Sequence, residues 1–582
     1  MQFHARWTFT LVAVLFVSLP LTVSAVTVGN PVCPTEQVLY NPGNGEDIVV
    51  PSGYQVSVFA KNLNFPTAVA FRINRKGNDH DNGHNKGKGN KSNFEVFVLE
   101  SGHGLPSICN DETSSVVGVG GVSSPTNPFT PDILVFDQDG VLLRGPLAKL
   151  SSGPDSLQAH GPAIDIAFEN GFQGGRLFAT DSNQAIRTPG AQNNSSRIVI
   201  VDPVTGHVTP FITGLPTGDH PAEQITFKGN WIYWSQGSTT NSGVVGNDNG
   251  GGTNQHDIPC QDIVLSSNTF SSGGGVFSSG YSQHGVTNPG GVVPAFTGAT
   301  GHGICDGAIL RAKVNAKNPK DTIEPFSWGY RNPYGIRFAP DDDHPLKGGL
   351  FVTENGEDER GARPTNNSPD RLQFAQQNHD GSPDYHGWPD RFGFLDSTQA
   401  VFNPVGGPGD DDPGAVLGKP VLPVLAFPPQ PITAPLALEP ADVAAVGLDF
   451  VPDSFVTGPV KKGAALISRE GDFGFSKSNG TPEAGHDIEL VNFGGGDHGP
   501  LQLQLQRFAY NTTFEQAFPD GLRGINRPVD LKFGPDDCAY LVDYGAVRDF
   551  GQSDPASKFI TPADAPLVQI PGTGVIWKIC KK

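Results

Sequence analysis

The chain has 582 residues, of which only 17 % are charged, and it contains 74 Gly and 51 Pro. This composition favours many short strands joined by turns over long helices. The formal net charge is −20, whereas a nucleic-acid-binding protein normally carries the opposite sign, so we exclude that class.

Residues 1–25 are predicted to be a signal peptide. Arg6 supplies positive charge, residues 8–23 are apolar, and Val23 and Ala25 place small side chains where a signal peptidase cleaves. The apolar stretch contains Pro20 and is shorter than the roughly 20 residues that cross a bilayer, so we expect no membrane span. We therefore predict a secreted protein whose mature chain, 26–582, is a single domain.

The cysteine content agrees with an oxidising compartment. The six cysteines are even in number and lack the close spacing of metal ligands. They can form three disulfides, and the sequence leaves all 15 pairings open.

One pattern recurs along the chain. An apolar strand ends in Phe, a turn follows, and a second apolar strand ends in a small or polar residue. The Phe residues of the copies are Phe71, Phe168, Phe227, Phe338, Phe450 and Phe533. Each copy is typical of the inner hairpin of a propeller blade, and such units must stack to bury their faces. The sequence therefore predicts an all-β fold, a six-bladed β-propeller, in preference to a sandwich.

The copies lie farther apart than a compact blade requires, so long loop insertions are expected. Two low-complexity insertions stand out, about 74–92, rich in Gly, Asn, His and Lys, and about 238–303, rich in Gly, Ser, Asn and Thr. Such compositions bury little apolar surface, so we expect both to be surface loops.

Four groups of loop segments carry potential chemistry. They are 219–227 (DHPAEQITF), 328–335 (WGYRNPYG), 353–359 (TENGEDE), and 468–471 (SREG) with 526–530 (NRPVD). Together they resemble the soluble quinoprotein glucose/sorbosone dehydrogenases over most of the chain from Pro51 to Lys578, with the insertions unmatched. The resemblance implies an enzyme that oxidises a sugar with pyrroloquinoline quinone and Ca²⁺ and passes electrons to an external acceptor.

The resemblance also implies roles for individual residues. His220 matches the general base that takes the sugar hydroxyl proton, a role suited to imidazole, and Asp219 would orient it. Arg331 and Asn332 match cofactor contacts, and Arg331 would also stabilise charge on the quinone oxygen during catalysis. His160 matches a sugar-contacting position.

The implied metal ligands and remaining cofactor contacts depart from the family in places. Gly356 and Glu357 match residues that bind Ca²⁺ through carbonyl oxygens, although the family usually has Pro at the second position. Asp370 matches an acidic residue near a structural Ca²⁺. Cofactor carboxylates would be bound by two further basic residues, Arg469 and Arg527, but a second family Arg is replaced by Val529.

Two other functions remain open. A calcium-dependent lactonase would need several carboxylate or amide ligands at the central channel, which the set of Arg residues disfavours. A non-catalytic extracellular propeller would explain the insertions and the lost Arg.

Overall fold

The computed structural model describes residues 25–582 except 35, 75–92, 103–125, 150–154, 184–193, 247–255, 274, 296–302, 342–343, 359–360, 366, 392–420, 430–433, 473–483, 497–498, 519–520 and 550–566. The predicted signal peptide and the first insertion therefore lie almost wholly outside the described residues. Within the described part, the structure consists of strands, turns and three short 3-10 helices, Gly171–Gln173, Pro319–Thr322 and Asp453–Phe455, with no α-helix.

The strands form six antiparallel sheets, which are the blades of a β-propeller. Blade 1 contains Pro66–Ile73, Phe94–Glu100, Asp132–Asp137 and Leu142–Leu147. Blade 2 contains Ala163–Phe168, Leu177–Asp181, Ser196–Val201 and Val208–Leu215. Blade 3 contains Ala222–Lys228, Trp231–Gln236, Ala308–Lys313 and Glu324–Trp328, with Asp384–Tyr385 added in parallel.

The other three blades follow the same order. Blade 4 contains Ile336–Phe338, Leu350–Glu354, Pro369–Ala375 and Ala437–Ala441. Blade 5 contains Ala445–Phe450, Ala465–Arg469, Asp487–Gly496 and Gly499–Asn511, with Ile48–Val49 at its edge. Blade 6 contains Pro528–Phe533, Ala539–Asp543 and Gly574–Lys581, and the N-terminal strand Tyr54–Leu63 completes it. This pairing joins the two ends of the chain and closes the ring.

In the described part of the chain, four two-stranded ribbons lie outside the blades. They are Val26–Gly29 with Gln37–Tyr40, Ile263–Val264 with Val292–Val293, Phe270–Ser271 with Phe277–Ser278, and Val547–Asp549 with Leu567–Gln569.

The Phe of each sequence repeat packs at a boundary between blades. Each makes an aromatic pair with a neighbouring blade, with ring centroids 4.9–5.3 Å apart. The pairs are Phe71–Tyr540, Phe97–Phe168, Phe178–Phe227, Tyr233–Phe338, Phe351–Phe450 and Phe455–Phe533. Because a blade cannot bury its faces alone, this repeated aromatic contact explains why the pattern recurs and confirms the six-bladed prediction.

Polar side chains close the central channel. Lys532 Nζ lies 2.5 Å from Asp165 Oδ1, and Gln224 donates to Asp530 Oδ1 at 2.8 Å. Nearer the strand starts, the loop residue Tyr334 packs in an apolar cluster with residues of blades 2 and 5. The face at which the first strands begin therefore has a floor, and we call the space over this floor the mouth.

The surface-loop expectation is wrong for the first part of the second insertion. Ser238, Thr240 and Ser242 are fully or almost fully buried, and the ribbon Ile263–Val264 with Val292–Val293 gives the insertion structure of its own. Serine and threonine can be buried when backbone groups satisfy them, as when Ser238 donates to the Thr240 carbonyl at 2.6 Å.

The structure also shows disulfides. Cys260 pairs with Cys305 and Cys538 pairs with Cys580, and Cys33 is disulfide-bonded as well. Among the described residues, no helix is long and apolar enough to cross a membrane.

Candidate functional site

The candidate residues come from loops at one face of the propeller. In antiparallel blades, the start of the first strand and the end of the second strand lie at the same edge. His160, His220, Arg331 and Arg527 precede or begin first strands, and Gly356 follows the second strand of blade 4. The fold therefore brings segments that are far apart in sequence to the rim of the mouth.

Asp219, His220 and Arg331 are in contact. Asp219 Oδ2 lies 3.4 Å from His220 Nδ1 and 3.2 Å from Arg331 Nη2. Asp219 and Arg331 are buried, whereas 18 % of the His220 side chain is exposed. The imidazole is therefore partly accessible from solvent, while the two charged groups beside it are shielded from water.

Gly237 makes room for the imidazole. A Cβ at this position would lie 2.2 Å from His220 Cβ. The two backbone segments are also held together, because His220 N–H donates to the Ser238 carbonyl and Gly237 N–H donates to the Pro221 carbonyl, each at 3.0 Å. The position therefore requires glycine because the His220 loop approaches it so closely.

Arg331 gathers three oxygen atoms around its guanidinium. Nη1 donates to the Gly356 carbonyl at 2.7 Å, and Nη2 donates to Asp358 Oδ2 at 2.6 Å and to Asp219 Oδ2 at 3.2 Å. Its Nε is buried and has no hydrogen-bond partner in the part of the chain that the structure describes. Two carboxylates and a carbonyl form a set of hard oxygen donors, so this position suits a positive charge, and Arg331 supplies it.

The loop after the second strand of blade 4 is fixed by buried polar contacts. Asn332 donates to Asn355 Oδ1 at 3.0 Å, and Gly356 N–H donates to Asp370 Oδ1 at 2.7 Å. Burial raises the pKa of Asp370 to about 7, opposed by the hydrogen bond from Gly356. Asp370 thus holds the Gly356 peptide in place.

Glu357 points into blade 4. Its Oε2 accepts hydrogen bonds from Ser368 and from Arg371, the latter at 3.2 Å. Its Oε1 is buried and has no hydrogen-bond partner among the residues that the structure describes. Among the described residues, no three His, Cys, Asp or Glu side chains are grouped so that they could hold a metal ion, so a metal here would depend on backbone oxygens as well.

Two further carboxyl groups lie near the site. Burial raises the pKa of Glu223 well above its usual value, an effect opposed by Arg331 and reinforced by Asp219 and Glu470. Burial also raises the pKa of Glu470, and Arg527 opposes it. Both carboxyls can therefore hold protons more readily than surface residues do.

The contacts of Arg469 give no support to the cofactor role predicted for it. Its guanidinium makes two 2.7 Å hydrogen bonds to Asp487 and further bonds to Glu439 at 3.2 Å and Glu489 at 3.1 Å. These partners lie in the outer strands of blades 4 and 5, so the side chain is directed outwards.

Arg527 and His160 occupy other parts of the rim. Arg527 is buried and donates to the carbonyl groups of Gly471 and Asp472 at 3.0 and 2.9 Å. His160 is half-buried in the loop before blade 2, where its backbone N–H donates to Asn183 Oδ1 at 3.3 Å.

Sequence reasoning missed two residues of the site, Asp358 and Glu223. Asp358 lies two positions after Gly356 in a quoted motif, and Glu223 lies three after His220. An acidic residue at the start of an apolar strand was the available signal for Glu223. The salt bridge of Asp358 with Arg331 could not be inferred because the two residues belong to different loops.

Comparison with known proteins identifies solved structures but no family. No protein-family model and no curated protein matches the chain. An iodide structure of a Trichoderma reesei carbohydrate-active enzyme of family AA12 is 15 % identical, with 92 % of this chain and 98 % of that chain covered and a TM-score of 0.46. A calcium structure of a Trichoderma reesei AA12 enzyme is 14 % identical, with 93 % and 99 % covered and a TM-score of 0.44.

A third structure comes from Thermus thermophilus and is provisionally described as an oxidoreductase (glucose dehydrogenase). It is 13 % identical, with 90 % of this chain and 100 % of that chain covered and a TM-score of 0.42. At these identities and scores, the function has to be argued from the site itself.

Proposed function

We propose that this protein is a secreted, quinone-dependent sugar oxidoreductase of the glucose/sorbosone dehydrogenase type, with pyrroloquinoline quinone and Ca²⁺ as cofactors. The observation that carries the proposal is the contact of Asp219, His220, Arg331 and Gly356. Three separate loops contribute these residues, and the sequence resemblance assigns each of them to one active site. The disulfides are in keeping with an extracellular location.

His220 is the general base of the proposed reaction. The Asp219 carboxylate, 3.4 Å from Nδ1, favours the tautomer with hydrogen on Nδ1. This leaves Nε2 able to accept the proton of a sugar hydroxyl. Asp219 then stabilises the imidazolium that forms, as a buried carboxylate does in other acid–base systems.

The residues around Arg331 are compatible with the proposed cofactors. Among the described residues, the buried Nε of Arg331 has no acceptor, and a quinone carbonyl or carboxylate could serve as one. The Gly356 and Asp358 oxygens are of the type that Ca²⁺ prefers. When bound, the quinone would accept the hydride from the sugar carbon.

The other cofactor contacts are unequal. We expect Asn332 and Arg527 to contribute to binding, and we expect less from Arg469 because its partners lie in the outer strands of blades 4 and 5. Glu357 and Asp370 would support the metal-binding loop, and His160 would contact the sugar. An external acceptor would reoxidise the cofactor.

Reconstitution tests the proposal. Purified protein is mixed with quinone and Ca²⁺, the absorbance spectrum is recorded, and a panel of aldoses is added. We expect bleaching of the quinone band with at least one sugar. Parallel thermal melts with quinone, with and without Ca²⁺, should show a larger stabilisation when both are present, because ligands that share a site stabilise the native state together.

Each contrary result has a defined meaning. Lactone hydrolysis with Ca²⁺ alone would favour the lactonase. Absence of quinone binding together with absence of hydrolysis would favour a non-catalytic propeller. Equal stabilisation by quinone with and without Ca²⁺ would contradict a shared metal.

A further inference from the structure

The second strand of every blade ends in a buried polar residue. These residues occupy the same place in the repeat, at the edge that forms the mouth. They are Glu100, Asp181, Gln236, Glu354, Arg469 and Asp543. A polar side chain buried in a propeller core must find hydrogen-bond partners, so a position that repeats in this way indicates a common task.

In five blades this residue binds the loop that leads into the first strand of its own blade. Glu100 accepts from Asn64 N–H at 2.6 Å, and Gln236 donates to the Pro216 carbonyl at 3.0 Å. Asp181 accepts from the N–H of Gln158 at 3.1 Å, Glu354 from that of Arg331 at 3.0 Å, and Asp543 from those of Asn526 and Arg527 at 2.8 Å each. The side chain thus ties together the two loops that each blade contributes to the mouth.

We call this hydrogen bond between the strand-end side chain and the preceding loop the tether. In blade 4 the tether runs from Glu354 to the backbone of Arg331 itself. Glu354 is completely buried, and the Oε1 that accepts from Arg331 N–H also accepts from Arg371 Nη1 at 3.0 Å. Its Oε2 accepts from Gln373 Nε2 at 2.9 Å. Because Arg371 and Gln373 belong to the third strand, the carboxylate is rigidly held and fixes the backbone from which the Arg331 side chain extends.

We propose that Glu354 is a positioning residue, which places Arg331 for cofactor binding through a hydrogen bond to its backbone N–H. The cofactor part of this inference rests on the proposed function, whereas the tether itself does not. Because Glu354 is completely buried, we assign it no contact with substrate or cofactor. Its contribution is the placement of the guanidinium relative to Asp219 and Gly356, which depends on the length of the side chain more than on its charge.

Two substitutions separate reach from charge. Glu354→Gln keeps the length and an acceptor oxygen but removes the charge that faces Arg371. Glu354→Asp keeps the charge but is one methylene shorter, so it draws the acceptor away from Arg331 N–H. If Glu354 acted only by balancing Arg371, the Gln variant would be the more damaged of the two. If it acts by positioning, the Asp variant is the more damaged.

The matched control is Glu100→Asp in blade 1. It shortens the same tether, which there holds Asn64 and no candidate site residue. Two properties are measured for all variants: amide hydrogen exchange in peptides covering 329–335 and 64–65, and the dissociation constant for pyrroloquinoline quinone with Ca²⁺. Hydrogen exchange needs no cofactor and therefore reports the tether even if the protein binds no quinone.

We expect Glu354→Asp to accelerate exchange in 329–335 and to weaken quinone binding by about 10- to 100-fold, the scale of a misplacement of about 1 Å. The dissociation constant of Glu354→Gln for the quinone should stay within about threefold of the wild-type value, as expected when an acceptor is retained. Glu100→Asp should accelerate exchange near Asn64 and leave quinone affinity unchanged.

The opposite order of the two Glu354 variants would overturn the inference, and so would unchanged exchange in 329–335 in Glu354→Asp. An equal loss of quinone affinity in Glu100→Asp would also overturn it. If wild-type protein binds no quinone, the proposed function fails, but the exchange data still test the tether.

Discussion

Two regions of the mouth differ in what their arginines bind. In the region formed by blades 3 and 4, Arg331 binds three oxygens contributed by other loops, two of them from carboxylates. In the region formed by blades 5 and 6, the outer strands bind Arg469, and the carbonyl groups of a neighbouring loop bind Arg527.

Glu354 and Arg469 show the same contrast within a single repeat position. Glu354 binds the backbone of its own site loop, whereas Arg469 pairs with Asp487, Glu439 and Glu489. The availability of an arginine for a ligand therefore depends on the carboxylates that neighbouring strands place around it. Under the proposed function, we expect the region formed by blades 3 and 4 to carry the catalytic residues and the region formed by blades 5 and 6 to be mainly scaffold.

The largest effect is expected at His220, in the region of the mouth formed by blades 3 and 4. His220→Asn has a similar size but cannot accept the hydroxyl proton, so turnover should fall by roughly 100- to 10,000-fold. Quinone affinity should be retained because His220 has no assigned cofactor contact. Stopped-flow reduction of the quinone by the best aldose measures turnover, and titration with quinone measures the affinity. A variant that binds quinone and turns over normally would remove His220 from the mechanism.

Arg331→Lys tests whether the region formed by blades 3 and 4 needs the guanidinium itself. Lysine keeps the charge but cannot bind Gly356, Asp358 and Asp219 through a planar fork. We expect a loss of turnover of roughly 100-fold, comparable with the loss of one electrostatic donor at a reacting centre, together with weaker quinone binding. Steady-state kinetics and quinone titration measure both. Wild-type values for Arg331→Lys would show that charge alone suffices.

Arg469→Met tests the region formed by blades 5 and 6. Removing the arginine leaves Glu439 and Glu489 without the cation that they share and leaves Asp487 paired with Arg507 alone. A broken buried ion pair costs about 3–5 kcal/mol of unfolding free energy. Quinone affinity should change little in the protein that remains folded. Urea denaturation and quinone titration provide the two readouts. A loss of quinone affinity without a loss of stability would return Arg469 to the cofactor site.

The smallest effect concerns the pH dependence of stability that arises in the region formed by blades 5 and 6. Burial raises the pKa of Glu489 to about 9 from its ordinary 4.5, reinforced by the Glu439 carboxyl and opposed by Arg469. Between these values the folded protein keeps a proton that the unfolded chain has lost, so this residue's contribution to stability falls as pH rises through the window.

Glu489→Gln does not titrate, so the fall in unfolding free energy between pH 5 and pH 9 should be smaller than in wild type by up to roughly 1 kcal/mol per pH unit. Urea denaturation across this range measures the slope. Glu324→Gln, which neutralises a carboxylate with 41 % of its side chain exposed, is the control. Parallel wild-type and Glu489→Gln slopes would show that Glu489 ionises normally in the folded protein.

The sequence by itself determined the architecture. Each blade is built mainly from consecutive strands, so its apolar pattern and its interface Phe, such as Phe168 or Phe450, are visible locally. The segments that contain His220, Arg331 and Gly356 were recognisable for the same reason, since each is a short continuous motif beside a strand.

Only the tertiary structure decided what each charged residue contacts. Lys532 and Asp165 close the channel across 367 residues of sequence, and Arg331 meets Asp219 across 112. The same holds for Arg469, whose motif suggested a cofactor contact but whose partners lie on outer strands. A pattern of residues records type and spacing, whereas the availability of a charge depends on burial and on counter-ions that ring closure brings together.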